Sequence, residues 1–216
     1  MMHPLGRIPS TPDTRDYPLA AYLYAPSVFA RRTRFWEFHE HTLDQGATNH
    51  CTGFAAAHWR ISAPVKEKNT AEQGHALYYK IKEIEGESGD DGGATMRGMA
   101  KTLKALGLID TYAFAHSLDE VKRYILHSGP ILAGTLWTEG MFLPTREGRI
   151  LPTGAVLGGH AWLIRAYVGR GLFYGMSSWG EDWGQRGNFY IHENDLGWLL
   201  RTGREFVAAM QVERNS

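Results

Sequence analysis

Apolar residues in the first half of the chain recur with the period of a helix. Between Leu77 and Ile84 they are spaced three and four positions apart, as an amphipathic helix requires. Thr70 and Gln73 have the T-x-x-Q spacing of a capping box, so this helix is predicted to begin at Thr70. Three other helices are predicted over residues 51–61, 96–106 and 117–126, the last beginning at a second capping box, Ser117 and Glu120.

After Gly129 and Pro130 the pattern changes to β-rich runs separated by glycine turns, which is typical of strands. A helical first half and a stranded second half predict an α+β fold with two lobes. We expect one domain over residues 43–216, with a helical lobe over about 43–128 and a β lobe over about 129–216. The predicted strands cover residues 130–137, 160–168, 172–178, 188–192 and 206–212.

The first 42 residues differ from the rest because proline and aromatic residues recur throughout them. Proline disfavours helix, so residues 1–42 are predicted to form an extended arm that lies on the body of the protein. The arm has no long helical stretch, which argues against a folded inhibitory pro-segment.

Composition narrows the class of protein. Hydrophobic residues make up 43% of the 216 residues, enough for a globular core. Lysine and arginine together number 23, as do aspartate and glutamate, so no excess charge favours nucleic acid or an anionic membrane as a partner. There is one cysteine and no apolar leader, which favours a cytoplasmic location.

Cys51 lies at the start of the first predicted helix, six residues after Gln45. The positive end of a helix dipole favours a thiolate, the nucleophile that acyl-transfer chemistry needs. A glutamine amide can donate to the oxyanion that forms after attack. The sequence therefore predicts a nucleophilic cysteine with Gln45 beside it. No phosphate-binding loop, dinucleotide fingerprint or structural metal site is predicted, so no cofactor is expected.

Two later stretches complete the constellation: LGGHAWLI with His160, and MSSWGEDWGQRGNFY, which begins at Met176. With the cysteine block, they make the chain resemble the papain-like cysteine peptidases, a Cys–His–Asn family. Residues 12–17 resemble the start of the catalytic region in bacterial members. The matched residues are Gln45, Gly46, Cys51, Gly159, His160, Ala161, Ser177, Ser178, Trp179, Gly180, Trp183, Gly184, Gly187 and Asn188.

The resemblance implies a two-lobed fold, with the active cleft between a helical lobe and an antiparallel, barrel-like β lobe. It implies that Cys51 is the nucleophile and that His160 takes the thiol proton and later protonates the leaving amine. Gln45 and the backbone N–H of Cys51 would form the oxyanion hole, at about 3 kcal/mol per donor. The residues implied to contact substrate or line the cleft are Gly92, Gly93, Gly159 and Trp179.

Three departures from the family pattern affect the predicted site. Ser177 stands where the family has an asparagine, so its contact with His160 is expected to be longer or bridged by water, with a reduced rate. The residues around Cys51 are Asn49-His50 and Thr52 instead of the usual Gly-Ser and Trp, so specificity does not transfer. The disulfide cysteines are missing, which also fits the cytoplasm.

Two charged or titratable residues, His50 and Asp91, lie near the predicted nucleophile and the glycine pair. His50 is adjacent to Cys51, but adjacent helix residues do not face each other, so a second-base role is disfavoured. Asp91, in the loop before the glycine pair, is a candidate for favouring a basic substrate side chain.

The function predicted from these residues is a thiol hydrolase that cuts peptide or isopeptide bonds in a peptide or protein substrate. An amidase or acyltransferase on the same scaffold and a catalytically weak peptide-binding module remain as alternatives. Control of the activity is expected from a protein inhibitor or regulator, from narrow specificity or from the arm itself.

Overall fold

The computed structural model describes residues 3–14, 16–23, 33–38, 41–89, 91–203 and 205–211. Parts of the predicted arm (Arg15, residues 24–32 and residues 39–40) and the last residue of the final predicted strand, Val212, lie outside these ranges. The helices are α1 (Cys51–Ile61), α2 (Ala71–Glu85), α3 (Met96–Ala105), α4 (Leu118–His127) and α5 (Glu193–Gly203).

The nine strands form two sheets within the described residues. The strands are β1 (Arg7–Ile8), β2 (Arg34–Phe35), β3 (Ala94–Thr95), β4 (Thr111–Ala115), β5 (Ile131–Thr138), β6 (Val156–Val168), β7 (Leu172–Met176), β8 (Asn188–His192) and β9 (Glu205–Met210). A seven-stranded sheet has the order β4-β9-β5-β6-β7-β8, with β2 paired to β6. All of its pairings are antiparallel, while β1 and β3 form a separate parallel pair.

The mixture of helices with an antiparallel sheet confirms the predicted α+β class. The β lobe is not a closed barrel, because β4 and β8 end the strand order without pairing to each other among the described strands. The sheet is therefore open.

The predicted caps are present at the helix starts. Thr70 accepts a hydrogen bond from the backbone N–H of Gln73 at 3.4 Å, and the Gln73 side chain accepts one from the backbone N–H of Thr70 at 2.8 Å. Ser117 likewise caps α4 by accepting from the backbone N–H of Glu120 at 3.2 Å. These local bonds satisfy N–H groups that a helix leaves unpaired, which explains why the starts of α2 and α4 were predictable.

Besides the two-residue strands β1, β2 and β3, two longer elements were not predicted from the sequence. The helix α5 was not predicted, since Gly197 interrupts a short segment, yet Leu196, Leu199 and Leu200 are buried at helical spacing. The strand β4 precedes the expected lobe boundary but pairs along its whole length with β9. Tertiary packing therefore extends the sheet into the helical half.

The sheet buries a hydrophobic cluster on each face. Successive residues of β6 alternate between them: Trp162 and Ile164 belong to one cluster, and Leu163 to the other, as the two-residue period of a strand requires. The cluster with Leu163 also contains the buried residues of α1, α2 and α3. The start of α1 is thereby held against β6, where the candidate site lies. No helix in the described ranges is long and apolar enough to cross a membrane.

Candidate active site

The start of α1 is fixed from both sides of the molecule. Cys51 is the first residue of the helix, as predicted. The stretch before it is tied to the β lobe because the backbone N–H of Gln45 donates to the carbonyl of Ser178 at 2.9 Å. Within α1, Nε2 of the buried His58 accepts from the backbone N–H of Leu43 at 3.0 Å.

The thiol of Cys51 is completely buried. Its Sγ accepts a hydrogen bond from the backbone N–H of Ala161 at 3.3 Å, and from the backbone N–H groups of Gly6 and Thr52. Burial outweighs these bonds and raises the pKa of Cys51 to about 11, because a thiolate is costly in an apolar environment. Burial therefore opposes the thiolate that the helix terminus is expected to favour.

The imidazole of His160 is also completely buried. It lies on β6 opposite Thr135 of β5, and its Nε2 is 3.0 Å from Oγ of Ser177. Trp179 stacks on the ring with centroids 4.4 Å apart, and Trp137 contacts it edge-on at 4.9 Å. The direct contact with Ser177 replaces the longer or water-bridged contact that was expected, so a serine can orient this histidine.

The candidate pair, Cys51 and His160, is not joined for proton transfer in this state. No hydrogen bond joins Cys51 to His160, and Nδ1 of His160 is buried without a hydrogen-bond partner among the described residues. Burial lowers the pKa of His160 to about 3. At neutral pH both groups are therefore uncharged, and the thiol is not activated.

The reason is that the N-terminal arm occupies the cleft. Residues 3–8, called the cleft segment below, run between the lobes in an extended conformation. His3 stacks on Trp179 with centroids 4.7 Å apart. The side-chain amide of Gln45 donates to the carbonyl of Pro4 at 3.4 Å and to that of Thr48 at 2.5 Å.

Gly6 makes the closest approach of the cleft segment. Its carbonyl accepts from the backbone N–H of Ala94 at 2.8 Å, and β1 then continues parallel to β3. An added Cβ on Gly6 would lie 1.7 Å from the carbonyl oxygen of Asn49, and one on Gly159 would lie 2.3 Å from that of Arg7. Only glycine fits at these two positions. The arm thus fills the cleft, whereas the sequence predicted only an extended arm that lies on the body of the protein.

The glycine pair is held from α2. The backbone N–H of Gly93 donates to the hydroxyl of Tyr78 at 3.0 Å, and its carbonyl accepts from Nζ of the buried Lys82 at 2.8 Å. Gly92 is exposed in the same loop. In this state the N–H that pairs with the cleft segment belongs to Ala94, one residue beyond the predicted Gly93.

His50 points away from the candidate nucleophile. Its Nδ1 lies 2.7 Å from Nδ1 of His75 and its Nε2 lies 2.9 Å from Oδ1 of Asp91, while its ring stacks on Tyr78 at 3.8 Å. Asp91 also accepts from the side-chain amide of Asn49, through its carbonyl, at 2.9 Å. His50 and Asp91 therefore hold the glycine loop against the start of α1.

Sequence reasoning missed two charged residues in the cleft, Arg7 and Glu205. Their side chains form a buried ion pair, although nearly two hundred residues separate them in the chain. No local sequence pattern marks either residue as functional. Arg7 is simply an arginine between a glycine and an isoleucine in a proline-rich arm.

No family model matches the sequence, and no curated protein matches it. Several solved structures are similar to the chain. Xylellain, a cysteine protease from Xylella fastidiosa, is similar with a TM-score of 0.76 and 21% identity, over 98% of this chain and 97% of that chain. A proCathepsin B from Trypanosoma congolense has a TM-score of 0.67 and 12% identity, over 95% and 85% of the two chains. A digestive procathepsin L2 from Tenebrio molitor has a TM-score of 0.65 and 14% identity, over 97% and 78%.

These likenesses cover nearly the whole chain, including both lobes and the arm. Within that fold, the predicted Cys51, His160, Ser177 and Gln45 converge on one end of the cleft. The chain therefore has the fold of the papain-like cysteine proteases.

Proposed function

We propose that this chain is a cysteine peptidase kept latent by its own cleft segment. The observation that carries the proposal is that an extended main chain already lies across the candidate residues. Its Pro4 carbonyl accepts from the Gln45 amide, and its Gly6 N–H faces Sγ of Cys51. A cleft that holds one extended peptide in this way suits an α-linked peptide substrate better than an isopeptide.

The reaction follows from the candidate residues once the segment has left. Cys51 transfers its proton to His160 and attacks the substrate carbonyl carbon, forming a C–S bond while the C–N bond breaks. His160 gives the proton to the leaving amine, and water then cleaves the thioester. Ser177 holds the imidazole through the 3.0 Å contact. The Gln45 amide donates to the developing oxyanion, a role worth about 3 kcal/mol.

Hydration supplies the activation that the closed state lacks. Departure of residues 3–8 exposes Cys51 and His160 to water, which removes the burial that keeps both groups neutral. The thiol at the α1 terminus then regains the dipole, and a neighbouring imidazolium can stabilise the thiolate. The cleft segment thus restrains the peptidase activity itself, and a separate inhibitor protein is not needed for that restraint.

A single substitution in the 216-residue chain should open the cleft, so that the open and closed states can be compared. In Gly6→Ala the cleft segment cannot bind in the cleft as it does in the wild type, because the added Cβ would overlap the Asn49 carbonyl. Alkylation of Cys51 by iodoacetamide, followed by intact mass between about pH 4 and pH 9, should accelerate at least about 100-fold over wild type. The same variant should hydrolyse an unstructured protein substrate. The matched control is Ile8→Ala, since Ile8 is an exposed residue of the same segment, and it should label slowly.

Each competing function has its own result. Rapid labelling without any product would favour a peptide-binding module, and transfer to an added amine in place of hydrolysis would favour an acyltransferase. Hydrolysis that survives Cys51→Ala or His160→Ala in the Gly6→Ala background would contradict the proposed mechanism.

A further inference from the structure

The strand β3 pairs with one strand only among the described residues. That strand is β1, which runs parallel to it, and the backbone N–H of Ala94 donates to the carbonyl of Gly6 at 2.8 Å. Both β1 and Gly6 belong to the arm. On its other side β3 contacts the helix α2. Because β3 loses its strand partner when the cleft segment leaves, the support that keeps it extended in the open state comes from α2.

Both polar backbone groups of Gly93, directly before β3, are held by α2. The N–H donates to the hydroxyl of Tyr78 at 3.0 Å, and the carbonyl accepts from Nζ of Lys82 at 2.8 Å. The N–H of Thr95 donates to a carboxylate oxygen of Glu85 at 3.0 Å. The three side chains of α2 are spaced four and three residues apart, so they lie on one face of the helix. They satisfy backbone groups that a second neighbouring strand would otherwise pair.

The contact from Lys82 sets the direction of the N–H that faces the cleft. The carbonyl of Gly93 and the N–H of Ala94 belong to one peptide unit, which is planar and trans, so the two groups point to opposite sides. A carbonyl held towards α2 therefore turns the N–H of Ala94 towards the cleft. Gly93 needs this hold because its φ is 100°, and glycine restricts the direction of the following peptide unit least.

The side chain of Lys82 is completely buried. Its ammonium group also pairs with the carboxylate of Glu87, which is 55% exposed. A buried ammonium group is costly unless it is paired and hydrogen-bonded, so Lys82 is held where this carboxylate and the Gly93 carbonyl are both within reach. Methionine has a similar length and no donor. It would fill the space of Lys82 and leave the Gly93 carbonyl without this hydrogen bond.

We infer that Lys82 is a positioning residue for substrate binding, which acts through the Gly93 carbonyl to aim the N–H of Ala94 at the extended peptide in the cleft. This inference rests on the proposed function and adds a residue that does not itself touch substrate. Tyr78 assists by holding the N–H of the same glycine. The cleft segment accepts from Ala94 in the closed state, and the main chain of a substrate does so in the open state.

Lys82→Met in the Gly6→Ala background tests this role with the cleft open. A blocked peptide with the sequence of residues 3–10, HPLGRIPS, is used to protect Cys51 from alkylation. The concentration for half-protection should rise about tenfold, because a hydrogen bond from a charged donor is lost. With an unstructured protein substrate, KM should rise about tenfold and kcat should fall by less than about threefold. Alkylation without peptide should stay within about twofold of the Gly6→Ala rate.

The matched control is Lys80→Met, since Lys80 is a 39% exposed lysine of the same helix that pairs with Glu83. It should leave the half-protection concentration within about twofold. Tyr78→Phe keeps the ring that stacks on His50 and removes the hydroxyl that accepts from Gly93. It should raise the half-protection concentration about threefold, so the test does not depend on the folding of one variant.

The closed protein gives a readout that needs no hydrolysis. Because the cleft segment also pairs with Ala94, Lys82→Met without Gly6→Ala should accelerate alkylation of Cys51 about tenfold, and Lys80→Met should not. Equal half-protection concentrations for the two lysine variants, or a loss of kcat at unchanged KM, would overturn the inference and leave the peptidase function intact. Absence of hydrolysis in every variant, with protection that still depends on Lys82, would refute the peptidase function and support the positioning role.

Discussion

The two halves of the N-terminal arm that lie in and beside the cleft are held by different forces. The blocking half, His3 to Gly6, contacts the candidate catalytic residues through ring stacking, backbone bonds and close packing. The anchoring half, residues 7–14 and 16, is held by ion pairs from Arg7 to Glu205 and from Asp16 to Arg97. One half excludes water from the thiol, and the other half keeps it in place.

This division has a physical reason. A charged blocking residue beside Cys51 and His160 would need a partner in the apolar centre of the cleft, which would be costly. The blocking half is therefore uncharged apart from any proton on His3, whose pKa is lowered chiefly by burial. The charges sit farther along, where Glu205 and Arg97 are already present. Blocking and anchoring should consequently fail under different changes.

The largest effect is expected from Arg7→Gln, which breaks the anchor and leaves the blocking half unaltered. Removing one partner of a buried ion pair costs about 3–5 kcal/mol, so the open fraction should rise at least about 100-fold. The rate of Cys51 alkylation at neutral pH measures that fraction. Slow labelling by this variant would show that the blocking half closes the cleft without the anchor.

A double variant distinguishes loss of the pair from loss of packing. In Arg7→Gln with Glu205→Gln, two amides of similar size replace the two charges, and no buried charge is left alone. Replacing both partners of a pair is much less costly than replacing one. Labelling should therefore slow again towards the wild-type rate. Additive effects of the two substitutions would indicate that charge pairing is not what anchors the arm.

Local signals made one part of this arrangement predictable. The capping boxes and helical spacing gave the helices α1 to α4, and the blocks around Cys51, His160 and Ser177 gave the candidate site, because each depends on residues close in sequence. The residue that covers Cys51, Gly6, cannot be predicted in this way because it is distant in the sequence. Gly6 contacts Asn49 and Ala94, and nothing within the arm specifies those partners.

The charge state and the hydration of the Cys51 thiol also could not be predicted from the sequence. The helix terminus was expected to favour a thiolate at Cys51. Complete burial by a remote segment overrides it and raises the pKa of the thiol. Similarly, the helix α5 forms because the leucines around Gly197 pack on the sheet, although the local propensity is poor.

Acid should weaken the blocking half of the arm. Burial lowers the pKa of His160 from 6.5 to about 3 and also lowers that of His3, so a state in which water reaches these rings binds protons more tightly. Closure by these groups is fully favoured above about pH 6.5 and is lost as the pH falls towards 3. The open fraction should rise up to about tenfold per pH unit for each histidine.

Hydrogen exchange of the peptide covering residues 3–10, corrected for intrinsic rates, measures this dependence between about pH 8 and pH 4. His160→Gln should flatten most of the response, with the remainder due to His3. Protection that is unchanged across this range in the wild type would contradict the assignment of closure to buried, neutral histidines.

The smallest effect is expected from Asp16→Asn, at the outer end of the anchoring half. Arg97 pairs with Asp16, but the two side chains are 13% and 19% exposed, so the pair is partly screened by water. Asparagine also keeps one acceptor for the guanidinium. The cost should be about 1 kcal/mol, which raises the open fraction about fivefold. Glu83→Gln, which breaks the exposed pair with Lys80, should change nothing.

The value of this small effect lies in its combination with Arg7→Gln. If the anchors act independently, the double variant should label at the product of the two single effects. If Asp16→Asn alone opens the cleft as far as Arg7→Gln does, the anchoring half detaches as one cooperative unit from its outer end. In that case the ion pair inside the cleft would hold only while the outer pair is intact, and closure would be controlled from outside the cleft.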